Sequence, residues 1–180
     1  MKFKNTSNFL TVTLLLPTIL FSCAKMSSPL WVSNLPAWEK QKGSEAYIYG
    51  AGCGSGSIED AREEAYNNAL AEISAKVSEK IFVIVSEKLK KSKTLHDNET
   101  VENYETKIRK SIYKSISASL LQESQVVDSW VSPDGKICLL IAVKKENAIE
   151  AAGKAISVVK MYTQTRISEE EIKKAIYNLK

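Results

Sequence analysis

The chain has 180 residues, of which 44% are apolar and 26% charged, and carries a net charge of +4. The length suits one domain with a core of its own, and so small a charge excess gives no reason to expect nucleic acid as a partner. One histidine and three cysteines, none at metal-ligand spacing, argue against a metal centre.

The first 22 residues differ from the rest. Lys2 and Lys4 are followed by a nearly uninterrupted apolar run, Phe9 to Phe21, which ends at Leu20-Phe21-Ser22-Cys23. A basic start, a short apolar stretch and a small residue before a cysteine are the layout of an export signal, and the run is too short to span a bilayer comfortably. The ending resembles a lipobox, at which the signal is cleaved and the cysteine becomes the acylated first residue. The expectation is therefore a signal peptide at 1–22, a lipidated N-terminus and tether at 23–44 and a single domain at 45–180. An uncleaved anchor or an ordinary buried segment is the alternative. With several acyl chains on Cys23, at about 0.8 kcal/mol per buried methylene, anchoring would be stable. Lys2 and Lys4 would leave with the signal, so the net charge falls to +2. Cys53 and Cys138 then remain as an even pair. A disulfide is open to them in an exported chain, and two small buried thiols on neighbouring strands is the preferred reading.

Ala24 to Gly43 contains Pro29 and Pro36 and two tryptophans. A purely flexible spacer would not carry Trp31 and Trp38, so an extended segment with one of them docked on the domain is expected. Glu45 to Gly52 reads as a strand ended by glycines, since Tyr47, Ile48 and Tyr49 suit a pleated, half-buried surface. Ile58, Ala61, Ala65, Ala69, Ile73, Val77, Ile81 and Ile84 then recur at helical spacing, with small residues early and bulky ones late. Ile81 to Val85 is apolar on every face and is compatible with helix or strand. Lys88 to Asn98, which holds His96, reads as a polar surface connection. A second amphipathic helix follows through Val101, Tyr104, Ile108, Ile112, Ile116 and Leu120, with its lysines and Arg109 mostly on solvated faces.

Gln125 to Val131 and Lys136 to Val143 read as two strands joined through Ser132-Pro133-Asp134-Gly135, a hairpin turn. The second, "ICLLIAV", is apolar on both faces, so something must cover its far side. The C-terminal region, where Ile149, Ala152, Ile156 and Val159 repeat, is one candidate; a second subunit is the other. Ser168 with Glu171 opens a last helix through a capping box. These elements add up to an α+β fold. A small three-stranded, mostly antiparallel sheet packs against two long amphipathic helices in the order β-α-α-β-β, with C-terminal helices added.

Gly50, Gly52, Gly54 and Gly56 alternate between the first strand and the first helix. A dinucleotide loop requires G-x-G-x-x-G, and here the third position falls on serine; no P-loop lysine follows either. Ser57 is placed to cap the helix with Asp60, and Glu59, Asp60, Glu63 and Glu64 would repel phosphate from its N-terminus. The glycines read instead as a hinge that allows positive dihedrals and close helix approach. The lone His96 sits in a polar connection, and no G-x-S-x-G elbow exists. The expectation is a chain without catalysis, cofactor or metal.

Pro36-Ala37-Trp38, Tyr49-Gly50-Ala51-Gly52 with Gly54 and Ser55, Ala61-Arg62 with Ala65, Ala69 and Ile73, and Trp130 with Gly135 before an apolar strand form a recognisable string. Over residues 36 to 145 it resembles the LPP-twenty family of small bacterial outer-membrane lipoproteins, a pattern shared with the N-terminal domain of the flagellar T-ring protein. The resemblance implies a compact, dodecin-like α/β domain without established catalysis, found among envelope components and surface antigens. The expected function is a lipid-anchored binding or scaffold module of the outer membrane or periplasm. Its partners would be the membrane, through the anchor, and envelope proteins or further copies of itself through an outward strand face at Leu140 or Ile141, near Trp130. Alternatives are an accessory subunit of an envelope machine, a small-molecule binder at the Tyr49 to Gly56 corner, and a protein whose helix at Ser168 to Lys180 lies on lipid.

Overall fold

A computed structural model describes residues 27–43, 45–92, 101–160 and 166–179. Cys23 and His96 lie outside them. Helices α1 (Leu30–Ser33) and α2 (Leu35–Lys42) lead into strand β1 (Tyr47–Gly54). A 35-residue helix α3 (Ile58–Ser92) and helix α4 (Val101–Leu120) follow. The hairpin β2 (Gln125–Val131) and β3 (Ile137–Lys144), then helices α5 (Lys145–Lys160) and α6 (Glu169–Tyr177), complete the chain. The fold is α+β, with an antiparallel sheet in the order β1-β3-β2.

The apolar run at Ile81 to Val85 is helical, part of α3, and that helix also takes in Lys88 to Ser92, expected as connection. At about 1.5 Å per residue α3 is roughly 50 Å long, twice the length of an eight-residue strand. Its two halves accordingly meet different partners. The N-terminal half, with Ala61, Ala65 and Ala69, lies flat on the sheet. The C-terminal half, with Val77, Ile81 and Val85, joins Ile112 and Ile116 of α4, Ala152 and Ile156 of α5 and Ile176 of α6 in the main core. The shift from small to bulky residues along α3 thus marks where sheet packing ends and helix packing begins. Of the two long helices, α3 lies on the sheet, whereas α4 packs on α3 and α5.

β3 is the central strand and is covered on both faces. Ile137, Leu139, Ile141 and Val143 face α3 and the main core, and Cys138 and Leu140 face the opposite way. The cover on that far face is α1 and α2, through Trp31 and Leu35. Neither the C-terminal region nor a second subunit is needed, because the segment read as an extended tether folds into two helices. Leu140 and Ile141, expected to offer an outward apolar face, are 1% and 0% exposed. Both are corrected to core residues. The α6 helix likewise turns Ile172 and Ile176 into the core, which leaves its apolar stripe no face for lipid. Its N-terminus is closed by the full Ser168–Glu171 capping box.

Candidate functional site

The glycine corner comes first because sequence made it the place to look for a ligand. Gly50, Gly52 and Gly54 do not end β1; they are part of it, with their missing side chains turned toward α3. A Cβ would stand 2.2 Å from the Ala69 carbonyl oxygen at Gly50, 2.3 Å from that of Ala65 at Gly52 and 2.2 Å from that of Ala61 at Gly54. The glycines are therefore a track on which the helix backbone rides, which is the close approach expected of them, without the positive dihedrals of a hinge at these three positions. Gly56 alone among the four has a positive φ, 119°, and makes the turn into α3. Ser57 caps that helix: its Oγ accepts from the Asp60 N–H at 3.2 Å and donates to the Asp60 carboxylate at 2.6 Å.

The same step pattern closes the outer edge of β1. Non-paired backbone groups recur every second residue along a strand, and one face of a helix recurs about every fourth, advances of roughly 6.7 Å and 6 Å. The Tyr49 carbonyl accepts from Lys76 Nζ at 2.9 Å, and the Ala51 N–H donates to Glu72 Oε2 at 2.8 Å. The Cys53 carbonyl accepts from Asn68 Nδ2 at 3.0 Å, and the Ser55 N–H donates to Glu64 Oε2 at 2.9 Å. Glu64, read from sequence as one of the carboxylates that would repel phosphate, is thus the last rung of a side-chain ladder. An edge strand so occupied offers little to an incoming strand, and Glu59, Asp60, Glu63 and Glu64 crowd the first turns of α3 with negative charge.

The second feature is a clasp on the far face of the sheet. Trp31 is 2% exposed, and its indole N–H donates to Asp128 Oδ2 on β2 at 2.8 Å. Trp38 meets Tyr49 edge-on, with ring centroids 5.0 Å apart. Burial, then the neighbouring Tyr47 and Glu39, raise the pKa of the Tyr49 hydroxyl. Sequence named one docked tryptophan; both dock. Beside them Cys53 and Cys138 are directly opposed, Cα atoms 4.0 Å apart, and joined by a disulfide. This corrects the preferred reading of free buried thiols. The opposed residues form a pair whose backbone groups point away from each other, the closer of the two antiparallel pairings, and Cys53 is exposed. Trp130 is half-buried against this cluster, and its indole N–H has no acceptor among the described residues.

The third feature is the free edge, β2. Leu121, Val126, Val127 and Val131 are each at least half exposed. Four of the nine exposed large apolar side chains among the described residues thus fall within residues 121–131, so the exposure is concentrated here. A register shift between Val126 and Asp128 places a bulge at Val127, and the Asp128 carboxylate folds back to accept from the Ser129 N–H at 2.8 Å. Asp128 therefore serves twice, holding Trp31 and blunting one edge amide.

Sequence reasoning missed Lys145. This lysine is 4% exposed and donates to the carbonyls of Tyr177 at 3.2 Å and Leu179 at 3.3 Å, so it caps the C-terminal end of α6. It lines a cleft of about 580 Å³ with Glu39, Glu45, Tyr47 and Tyr177. Its signal was faint: a lysine pair directly after an apolar strand reads as the return to solvent.

The architecture defines a small α+β module in which an N-terminal segment is clasped to the sheet. The chain belongs to the LPP20 lipoprotein family, whose model matches residues 36–144, and is a lipoprotein of the cell envelope. Comparison with curated proteins returns no match. No helix among the described residues is long and apolar enough to cross a membrane.

Proposed function

We propose that this lipoprotein is a non-catalytic docking module, acylated at Cys23, held at the outer membrane and binding another envelope component through its open sheet edge. The observation that carries this reading is the clasp. Chain that could have been a long flexible tether is folded into α1 and α2, so a lipid on Cys23 would present the domain on a short leash. The glycine corner is filled by the protein's own backbone and side chains, whereas β2 keeps exposed apolar residues at a strand edge. Metabolic labelling with an alkyne fatty acid tests the anchor: label should enter the wild type and be lost in Cys23→Ser, with the wild type in the outer-membrane fraction. An unlabelled, cytosolic wild type would overturn the proposal.

A further inference from the structure

We propose that the cleft lined by Lys145 is a binding site for a short free peptide, whose C-terminal carboxylate meets Lys145 and whose N-terminal amine meets Glu45. The cleft opens where β1 begins and β3 ends, with α2 on one side and the end of α6 on the other. Its volume of about 580 Å³ falls within the roughly 300–1,000 Å³ of small-molecule sites. No β2 residue lines it, so the site is separate from the open sheet edge.

Lys145 is buried, and its backbone N–H donates to the Ala46 carbonyl at 2.9 Å, which fixes it at the end of the β1–β3 ladder. An ammonium has three protons to donate. Two go to the Tyr177 and Leu179 carbonyls, and no carboxylate pairs with it among the described residues. The end of α6 offsets only about half a charge, so the buried cation lacks a full counter-charge. A ligand carboxylate in the cleft would supply that charge and accept the remaining proton.

The opposite pole is Glu45, in the connection from α2 to β1. Its side chain is exposed and has no partner among the described residues, whereas Glu39 is paired with Lys76 at 3.8 Å. The charged residues of the lining, Glu39, Lys40, Glu45 and Lys145, sum to zero, which favours a ligand that is neutral overall but charged at both ends. A simple anion would meet the free Glu45 carboxylate, and a simple cation would meet Lys145. A lone amino acid carries both charges on one carbon, whereas each added peptide residue separates them by up to about 3.5 Å. Tyr47 and Tyr177, both partly exposed, add aromatic surface against which a peptide side chain can be buried.

Isothermal titration of the purified full chain with the tripeptide Ala-Phe-Ala, and with its N-acetyl and C-amide forms, tests the site. The free peptide should bind with a Kd below about 1 mM, and either capped form roughly tenfold more weakly. In Glu45→Gln the free and N-acetyl forms should bind alike, and in Lys145→Met the free and C-amide forms should, because the matching charge is then already gone. Glu45 is exposed, so its variant and the capped peptides on wild type decide the matter even if Lys145→Met fails to fold. No binding of the free peptide would overturn the proposal. Equal affinity for free and capped peptides, or a capping effect that persists in Glu45→Gln, would do so as well.

Discussion

Replacing Gly52 by alanine should destabilise the domain by roughly 3 kcal/mol, although the change adds a single methyl group. The new Cβ would lie 2.3 Å from the Ala65 carbonyl oxygen, 2.4 Å from the Ala69 nitrogen and 2.8 Å from the Asn68 Cβ. Two of these are helix backbone, so no rotamer change relieves them, and α3 must rise by about 1 Å to restore ordinary contact. Overpacking of this kind costs about 1–3 kcal/mol. Lifting α3 also stretches the bonds from Ala51 to Glu72 and from Asn68 to Cys53, each worth about 1 kcal/mol net. Alanine's smaller unfolded-state entropy offsets only about 0.4–1 kcal/mol. Gly153→Ala is the matched control, because its Cβ finds nothing within 4 Å in the middle of α5. There helix propensity should raise stability by up to about 1 kcal/mol. Urea unfolding followed by far-UV circular dichroism reads both, and at roughly 2 kcal/mol/M the Gly52→Ala midpoint should fall by about 1.5 M. If Gly52→Ala lay within about 0.5 kcal/mol of wild type, the close riding of helix on strand would be wrong.

The disulfide joins residues 85 apart, so its loss should cost up to about 4–5 kcal/mol by loop entropy. Scanning calorimetry should show reduced wild type melting with the Cys53→Ser/Cys138→Ser double variant, and both well below oxidised wild type. Glu171 has its pKa lowered from the ordinary 4.5 to about 2, first by its bond from Lys88 and then by those from Ser168. A depressed carboxylate contributes stability that is present above pH 4.5 and lost as the pH falls toward 2. Amide exchange in α6 should accelerate across that window, and Lys88→Met should move the onset to higher pH. Lys145→Ala takes the charged donor from two part-buried carbonyls, at about 1–3 kcal/mol. Urea unfolding should show the loss, and amide exchange should place the loosening at the end of α6 and not in the sheet.

The course of the chain was legible wherever one residue type repeats at one period. The alanine and isoleucine series predicted α3, and Pro133 with Gly135 predicted the hairpin, whose Gly135 has φ 84°. The family string was legible for the same reason, since it consists of short-range spacings. What stayed hidden depends on two periods meeting. Glycines at steps of two and alanines at steps of four were both visible, yet only their antiparallel stacking reveals that Gly50, Gly52 and Gly54 face Ala69, Ala65 and Ala61. The rungs Glu64, Asn68, Glu72 and Lys76 read as an ordinary polar face for the same reason. Burial on both faces of β3 was legible, but not what supplies the cover, because prolines and small polar residues in Ala24 to Gly43 resemble a linker until Trp31 is placed under α1. Leu140 was misplaced by that omission, whereas Ile141 faces α3 and the main core.

A three-stranded sheet has two edges, and these are treated unequally. β1 is closed by four side chains that project from one continuous helix, so opening that edge requires moving α3 and with it the main core. β2 is guarded only locally, by a bulge and by one carboxylate that is already shared with the N-terminal segment. Edge exposure is an aggregation hazard in a freely diffusing protein, and selection ordinarily removes it with charge or proline. An apolar edge is tolerable where something else covers it in the working state. The clasp reaches that edge through one bond, from Trp31 to Asp128, while α1 itself lies over β1 and β3. The unequal edges thus follow from what runs beside each: β1 has a continuous helix to close it, and β2 has only its own bulge and one shared carboxylate.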